Sequence, residues 1–99
     1  MFKRIRKRDR RLVKFDSEKI TDSIIKAGAS YGEINPHNAR RLTTRVLNLA
    51  EDTIDRRVPT VEDIQDIVEE VLLSSRYRKT AKAFIIYREQ HARIREITD

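Results

Sequence analysis

The chain has 99 residues, enough for one domain with a modest hydrophobic core, and 38% of them are hydrophobic while another 38% are charged. It contains no cysteine, which excludes disulfide bonds, thiolate zinc sites and cysteine nucleophiles. No apolar run approaches the roughly 18 residues of a membrane span, and the basic N-terminus lacks the apolar stretch of a signal peptide, so we expect a cytoplasmic protein. The net charge of +6 predicts an anionic partner, which could be a nucleotide, a nucleic acid or an acidic protein surface.

The N-terminal segment predicts a basic β-hairpin. Two short β-like runs, Lys3 to Lys7 and Leu12 to Phe15, flank a turn that contains Asp9 but no glycine. The first 14 residues contain one acidic side chain and eight basic ones: Lys3, Arg4, Arg6, Lys7, Arg8, Arg10, Arg11 and Lys14. A cationic hairpin that leads into a helix suits a polyphosphate, because Arg and Lys donate hydrogen bonds and the helix end adds unpaired N–H groups and a positive dipole. A solvated basic arm without a specific ligand is the alternative interpretation.

Two helices are predicted after the hairpin. A cap at Asp16 or Ser17 begins the first, which extends to about Tyr31 and is ended by Gly32. Asn35-Pro36 begins the second, since it combines a cap residue with proline at the first helical position. The expected buried positions of these two helices are Ile20, Ile24, Ile25, Gly28, Ala39, Leu42, Val46, Leu49, Ala50 and Ile54.

A connector and two further helices complete the chain. In the connector, Asp55 to Pro59, the pair Arg57-Val58 could add a short third strand. Thr60 to Asp63 resembles a capping box with Asp in place of the preferred Glu, and the helix that it begins is broken by Ser74-Ser75. Its expected buried positions are Ile64, Ile67, Val68, Val71 and Leu72. The fourth helix begins at about Arg78 and extends to the C-terminus.

The fourth helix is apolar on more than one side. One stripe contains Ala81, Phe84, Ile85 and Arg88, while Ile86, Tyr87, Ile94 and Ile97 lie partly off it. Such a helix is either central in the bundle or docked on another domain or subunit.

Residues that could form a catalytic site are missing from the pattern. The two glycines, Gly28 and Gly32, cannot form a Gly-rich phosphate loop, and the two histidines, His37 and His91, lack metal-ligand spacing. A cationic site without a nucleophile or a base indicates binding and not turnover.

Four motifs follow one another along the chain. They are Lys-Arg-Asp-x-Arg at residues 7–11, a hydrophobic–charged–Phe–Asp sequence leading to Lys19, the segment of residues 58–69, and Ala-Phe-Ile-Ile-Tyr-Arg-Glu-Gln-His-Ala-Arg-Ile-Arg at residues 83–95. From about Ile5 to Ile97 the chain thereby resembles the ATP-cone, the regulatory nucleotide-binding domain at the N-terminus of many ribonucleotide reductases. The last motif is most similar to anaerobic-type or cobalamin-type reductases.

The resemblance implies one domain over residues 1–99, mainly α with a small β element: a four-helix bundle capped by an N-terminal β-hairpin lid. It implies a module without catalysis of its own that binds ATP or dATP as effector, with Mg²⁺, between the lid and the helices. ATP is associated with an active reductase and dATP with an inhibited one, usually through a change in subunit assembly. The implied partners are the catalytic domain or subunit of a ribonucleotide reductase and a homo-oligomer, with no membrane and no direct nucleic-acid binding.

By position, the resemblance also implies the contacts to the nucleotide. The implied residues are Ile5, Lys7, Arg8, Asp16, Lys19, Ile20, Thr60, Val61, Gln65 and Arg88. The first three match the lid strand over adenine and phosphates, Asp16 and Lys19 match ribose and phosphate contacts, and the third helix contributes Thr60 or Val61 with Gln65. Gln65 carries both a donor and an acceptor, which suits an adenine edge. Ordinary core positions for Ile5 and Val61, and a surface position for Lys19, are the alternatives.

One residue departs from the family pattern. Arg10 stands after Asp9, where the family usually has a glycine suited to positive φ, so we expect a different turn or a strained one.

Two other functions stay open at this point. One is a small basic nucleic-acid-binding helical domain like the ATP-cone of a bacterial repressor of reductase genes, although that protein's preceding zinc ribbon needs cysteines. The other is a helical interaction module that uses the face from Tyr87 to Ile97. The resemblance fits an excised domain as well as a free-standing one.

Overall fold

The structure is a computed structural model that describes residues 1–98, with the side chains of residues 1–94. Its elements in chain order are β1 (Arg4–Arg6), β2 (Leu12–Lys14), α1 (Glu18–Gly28), α2 (Pro36–Thr53), α3 (Val61–Leu73) and α4 (Arg78–Thr98). The predicted fold class, mainly α with an N-terminal hairpin, is confirmed. Within the described residues, every helix is too short or too polar to cross a membrane.

The hairpin turn keeps the geometry that a glycine would give it. The Arg10 amide donates to the Lys7 carbonyl and the Lys7 amide donates to the Arg11 carbonyl, both at 2.9 Å. Arg10 closes this loop with a φ of 72°, in the left-handed region. This is the three-residue hairpin loop in which a bulge residue, usually glycine, has positive φ. Asp9 supports the turn, because its carboxylate accepts from the Arg11 amide at 3.1 Å and from Arg11 Nε at 2.6 Å.

The hairpin is joined to the bundle at the start of α3. The prediction of a third strand at Arg57-Val58 is wrong: this segment is irregular, and Arg6 instead forms a single parallel bridge to Thr60. The Arg6 amide donates to the Pro59 carbonyl at 2.9 Å. Because Pro59 has no amide hydrogen, the pairing cannot continue as a ladder on this side. One backbone bridge therefore attaches β1 to the bundle.

The C-terminal end of α1 differs from the prediction, while at its N-terminal end Asp16, and not Ser17, accepts a hydrogen bond from the first turn. The helix ends at Gly28 and not at about Tyr31, because the Tyr31 amide donates to the Gly28 carbonyl in a tighter turn, after which Gly32 has a φ of 65°. At the other end, Ser17 makes no side-chain cap, and the Asp16 carboxylate accepts from the Glu18 amide at 3.0 Å. The next two amides donate to backbone carbonyls. The expected unpaired N–H groups are therefore absent at residues 18–20.

The starts of α2 and α3 are as predicted. The Asn35 side chain accepts from the Asn38 amide at 2.8 Å, directly before the first helical residue, Pro36. Thr60 Oγ1 accepts from the Asp63 amide at 3.0 Å, and Asp63 Oδ2 accepts from the Thr60 amide at 2.9 Å. Both partners of the capping box are present, so Asp can replace the usual Glu.

The four helices form a ring in which α1 packs against α2 and α4, and α3 packs against the same two helices. The buried core consists of Ile20, Ile24, Ala39, Leu42, Val46, Ala50, Ile64, Ile67, Val68, Val71, Leu72, Ala81 and Phe84. Four expected core residues, Ile25, Leu49, Ile54 and Ile85, are only partly buried. In this ring α4 packs mainly against α1 and α3, just as every other helix packs mainly against two, so the interpretation of α4 as a central helix is wrong.

The apolar side chains of α4 that lie off its core stripe are exposed. Ile86, Tyr87 and Ile94 are 47%, 57% and 57% exposed. The side chain of Ile97, which we also expected off the core stripe, lies outside the described residues. The contacts of these side chains with another domain or subunit stay a prediction.

Candidate functional site

A cavity of about 720 Å³ lies between the hairpin, α1, the first half of α3 and the middle of α4. Its size falls within the roughly 300–1,000 Å³ of small-molecule sites. Eight of the ten residues implied by the sequence resemblance line it: Ile5, Lys7, Asp16, Lys19, Ile20, Val61, Gln65 and Arg88. The fold thus brings residues that are up to 83 positions apart in the sequence to the wall of one cavity.

The other two residues, Arg8 and Thr60, do not line the cavity but hold its wall together. Arg8 Nη2 donates to Gln65 Oε1 at 2.9 Å, and Arg8 Nε lies 2.8 Å from Glu62 Oε1. Arg8 therefore ties the hairpin turn to α3 beside the cavity. The Thr60 hydroxyl accepts from the Asp63 amide as the cap of α3, and its backbone pairs with Arg6.

One face of α1 lines the cavity, and the sequence reasoning found only part of it. Beyond Lys19 and Ile20, the cavity wall includes Asp22, Ser23 and Lys26. Residues 19, 22, 23 and 26 share a helix face because they are spaced by three, four and seven positions. That spacing, read forward from Lys19, was the signal that could have identified Lys26. Tyr31, after the helix, also lines the cavity.

The cavity has an excess of positive charge on one side. Five basic side chains line it, Lys7, Lys14, Lys19, Lys26 and Arg88, against the two carboxylates of Asp16 and Asp22. Arg88 is already compensated, since its guanidinium lies 2.6 Å from Asp66 Oδ1 and 3.4 Å from Glu69 Oε1. Among the described residues, no ion pair engages the lysines. The uncompensated charge therefore belongs to the hairpin and α1.

Lys19 is the most informative of these cations. It occupies the first turn of α1, where the positive end of the helix dipole disfavours a lysine. A bound anion would reverse that effect, because it attracts both the lysine and the helix end. The position of Lys19 is thus electrostatically poor in the absence of an anion and favourable with one.

The rest of the wall is apolar and aromatic. Ile5, Val61, Ile64 and Phe84 contribute hydrocarbon surface. Tyr87, which is 57% exposed, also lines the cavity, and its ring stacks on His91 with the ring centres 4.0 Å apart. The combination of cations with an apolar wall suits a ligand that has a charged end and a flat, weakly polar end.

Comparison with known proteins identifies the family. The model of the ATP cone domain matches residues 3–93. The chain belongs to the ATP-cone family. This ATP-cone is 38% identical over 101 residues to a vitamin B12-dependent ribonucleoside-diphosphate reductase of Thermoplasma acidophilum. The match covers 97% of the chain and 13% of that reductase.

Two further relatives have similar names. A ribonucleoside-diphosphate reductase subunit alpha of Chlamydia pneumoniae is 33% identical and covers 94% of the chain. A vitamin B12-dependent reductase of Mycobacterium tuberculosis is 32% identical and covers 93%. The ATP-cone spans only 10–13% of the length of these relatives and corresponds to their N-terminal regions. The expected similarity to cobalamin-type reductases is confirmed, and membership of the family implies a nucleotide-binding regulatory role.

Proposed function

We propose that this ATP-cone binds ATP or dATP as an effector in the cavity beneath the hairpin and thereby regulates the catalytic part of a ribonucleotide reductase. The observation that carries the proposal is the convergence of four lysines, Lys7, Lys14, Lys19 and Lys26, on a cavity with an apolar wall. A triphosphate would provide an anionic partner for these lysines, and the charge-assisted hydrogen bonds to its oxygens are stronger than hydrogen bonds between neutral groups.

The proposed orientation follows from the distribution of charge. The triphosphate faces the hairpin and α1, where Lys7, Lys19 and Lys26 lie. The base faces the apolar wall, with Gln65 at its edge and Asp16 toward the ribose. Asp22 is the other acidic residue in the wall, and it is the candidate to share Mg²⁺ with the phosphate oxygens.

The hairpin is the element that would report the bound nucleotide. It contacts the bundle through the bridge from Arg6 to Thr60 and through the contacts of Arg8 with Gln65 and Glu62. A nucleotide that contacts Lys7 on the hairpin and Gln65 on α3 would link the two elements and so affect how the hairpin is positioned on the bundle. We propose that ATP and dATP set different hairpin positions and so favour active and inhibited reductase assemblies, through a catalytic subunit or a homo-oligomer. A cytoplasmic location likewise stays a prediction.

Thermal unfolding with ATP, dATP and GTP tests the proposal. A ligand that binds only the folded state stabilises it by about 2.7 kcal/mol at a hundred times its Kd. We expect ATP or dATP with Mg²⁺ to raise Tm and GTP to raise it much less. No shift with either adenine nucleotide at millimolar concentration would contradict the proposal.

Matched lysine variants locate the site. We expect Lys7→Ala and Lys19→Ala each to weaken ATP binding by about 1–3 kcal/mol, because each removes a charge-assisted contact. Lys82→Ala is the control, since this exposed lysine of α4 does not line the cavity and its loss changes net charge equally. Equal weakening in all three variants would indicate attraction by overall charge and not a site.

A nucleic-acid-binding domain is the second candidate. The net charge of +6 and the exposure of Arg4, Arg6, Arg10 and Arg11 on the hairpin favour it. A short DNA duplex in the same titration separates the two functions. Duplex binding that is steeply weakened by salt, without any response to ATP, would support this candidate.

A further inference from the structure

A second cavity, of about 480 Å³, shares no lining residue with the first. It lies between α2 and the connection from α3 to α4. Its wall consists of Asn38, Arg41, Leu42, Arg45, Ser74, Ser75, Arg76 and Tyr77. Three arginines and no acidic residue contribute to it, so the cavity has a strong positive charge. None of these residues is among the nucleotide contacts that the resemblance implies or among those that the effector proposal uses.

Two elements bring the arginines together. Residues 38, 41, 42 and 45 of α2 share one helix face because they are three, four and seven positions apart. Arg76 comes from the connection opposite, where its guanidinium lies over the Tyr77 ring, 5.6 Å from the ring centre. This cation–π contact favours one position of the Arg76 side chain. The three guanidinium groups thus approach one space from two sides.

The serines of the cavity position its other groups and do not supply donors. The Ser74 and Ser75 hydroxyls donate to the carbonyls of Val71 and Leu72, at 3.0 and 2.6 Å. Ser74 Oγ then accepts from Arg45 Nη2 at 3.3 Å, and Ser75 Oγ accepts from the Tyr77 amide at 3.1 Å. Because each hydroxyl proton is already donated to a backbone carbonyl, the serines cannot donate to a ligand in the cavity. The guanidinium groups of the arginines are then the charged donors in its wall.

The charge of these arginines is not compensated within the described residues. Arg11, Arg56, Arg88 and Arg93 each form an ion pair with a carboxylate. Arg41, Arg45 and Arg76 form none. Guanidinium groups that converge without an anion repel one another, and an oxyanion between them would turn that repulsion into charge-assisted hydrogen bonding.

We infer that this cavity is a second binding site, for the phosphate group of a small phosphorylated ligand. A guanidinium binds a phosphate through two parallel N–H donors, which favours arginine over lysine for this role. The arginines border a space of about 480 Å³, which is the size of a small-ligand site, so we favour a small ligand over a nucleic-acid duplex. Leu42 and the Tyr77 ring give it an apolar side for the remainder of the ligand.

Nuclear magnetic resonance titration of the ¹⁵N-labelled chain with inorganic pyrophosphate tests this site. We expect saturable shifts of the amides of residues 74–77 and of the Nε–H signals of Arg41, Arg45 and Arg76. Lys19 and its neighbours report on the effector cavity separately, so failure of one site is distinguishable from failure of the other. Absence of saturable shifts at residues 74–77 would overturn the inference.

Variants distinguish a site from general attraction. We expect Arg41→Gln and Arg45→Gln each to weaken pyrophosphate binding about tenfold or more, the loss typical of a hydrogen bond to a charged group. Arg40→Gln is the matched control, because this exposed arginine is next to Arg41 on α2 and does not line the cavity. Equal weakening in Arg40→Gln would overturn the inference. Shifts of residues 74–77 with a DNA duplex but not with pyrophosphate would overturn it in favour of a nucleic-acid contact.

Discussion

Replacement of Arg10 by glycine should stabilise the domain. Arg10 has a φ of 72° and closes the hairpin loop through its backbone. A non-glycine residue in the left-handed region costs about 1–2 kcal/mol. Glycine removes that cost, but its greater freedom in the unfolded chain takes back about 0.5–1 kcal/mol. The middle values of these two ranges leave a net gain of about 0.75 kcal/mol, which corresponds to roughly 3–6 °C in Tm for a domain of this size.

The surrounding contacts survive the substitution. The hydrogen bond from Arg6 Nη1 reaches the Arg10 carbonyl, at 3.1 Å, and that carbonyl remains in the variant. The assay is thermal unfolding of the parent, Arg10→Gly and Arg10→Ala. Alanine removes the same charged side chain yet keeps the penalty of positive φ, so we expect no comparable gain from it. A gain from alanine equal to that from glycine would refute the argument from backbone strain. A fall in Tm together with weaker ATP binding of Arg10→Gly would instead show that Arg10 itself contacts phosphate.

Three further outcomes follow from the packing of the helices. Gly28→Ala should destabilise the domain by about 1–3 kcal/mol in urea unfolding, because the new Cβ would lie 2.9 Å from Thr80 Oγ1 and 3.3 Å from Ile34 Cβ; an unchanged midpoint would contradict the close approach of α1 and α4. Thr21→Val should lower the free energy of unfolding by about 1 kcal/mol in the same assay. The single proton of the Thr43 hydroxyl goes to the Ala39 carbonyl, so Thr21 is the donor in the 2.7 Å contact between the two hydroxyls, and valine removes that donor. An unchanged free energy of unfolding would contradict donation from Thr21 to Thr43. Stability should also fall in acid, and Glu33→Gln should flatten that dependence when urea unfolding is followed from pH 6 to pH 3.

The acid dependence follows from the contacts of Glu33. Burial opposes ionisation of this carboxyl, but hydrogen bonds from the Thr80 amide, the Thr80 hydroxyl and the Lys79 amide outweigh it, so its pKa lies below the ordinary value of 4.5. A group whose pKa is lower in the folded state stabilises that state above its unfolded pKa. The contribution is lost as the pH falls below about 4.5 and through the lowered pKa. An identical acid dependence in Glu33→Gln would refute the role of Glu33 as the hydrogen-bond acceptor for the amides of Lys79 and Thr80 in the first turn of α4.

Helix starts were predictable because their signals are local. Asn35-Pro36 and the Thr60 to Asp63 box each satisfy their own amides within four residues, so the sequence determines them directly. The third strand at Arg57-Val58 was predicted wrongly, because β-propensity could not show that Arg6 would pair with Pro59 and Thr60 instead. Such pairing depends on the tertiary position of the hairpin.

The candidate site was predictable where the resemblance supplied positions and less so elsewhere. Lys7, Lys19 and Gln65 reach the cavity as expected. The ion pairs of Arg88 with Asp66 and Glu69 were not foreseen, since they depend on how α3 and α4 face each other. The second cavity, which Arg41 lines, was not predicted for the same reason, because half of its wall comes from the connection between α3 and α4. Arg45 and Ser74, which are in contact there, are 29 residues apart in the sequence.

Titration of the ¹⁵N-labelled chain with ATP and Mg²⁺ shows whether the nucleotide binds beneath the hairpin, because it locates the nucleotide without a change to the protein. The first signals to saturate should belong to the hairpin around Lys7, to the face of α1 that contains Lys19 and Lys26, and to the side-chain amide of Gln65. If the first signals to saturate belonged to α2 and residues 74–77, or if millimolar ATP moved no signal, the nucleotide would not bind beneath the hairpin.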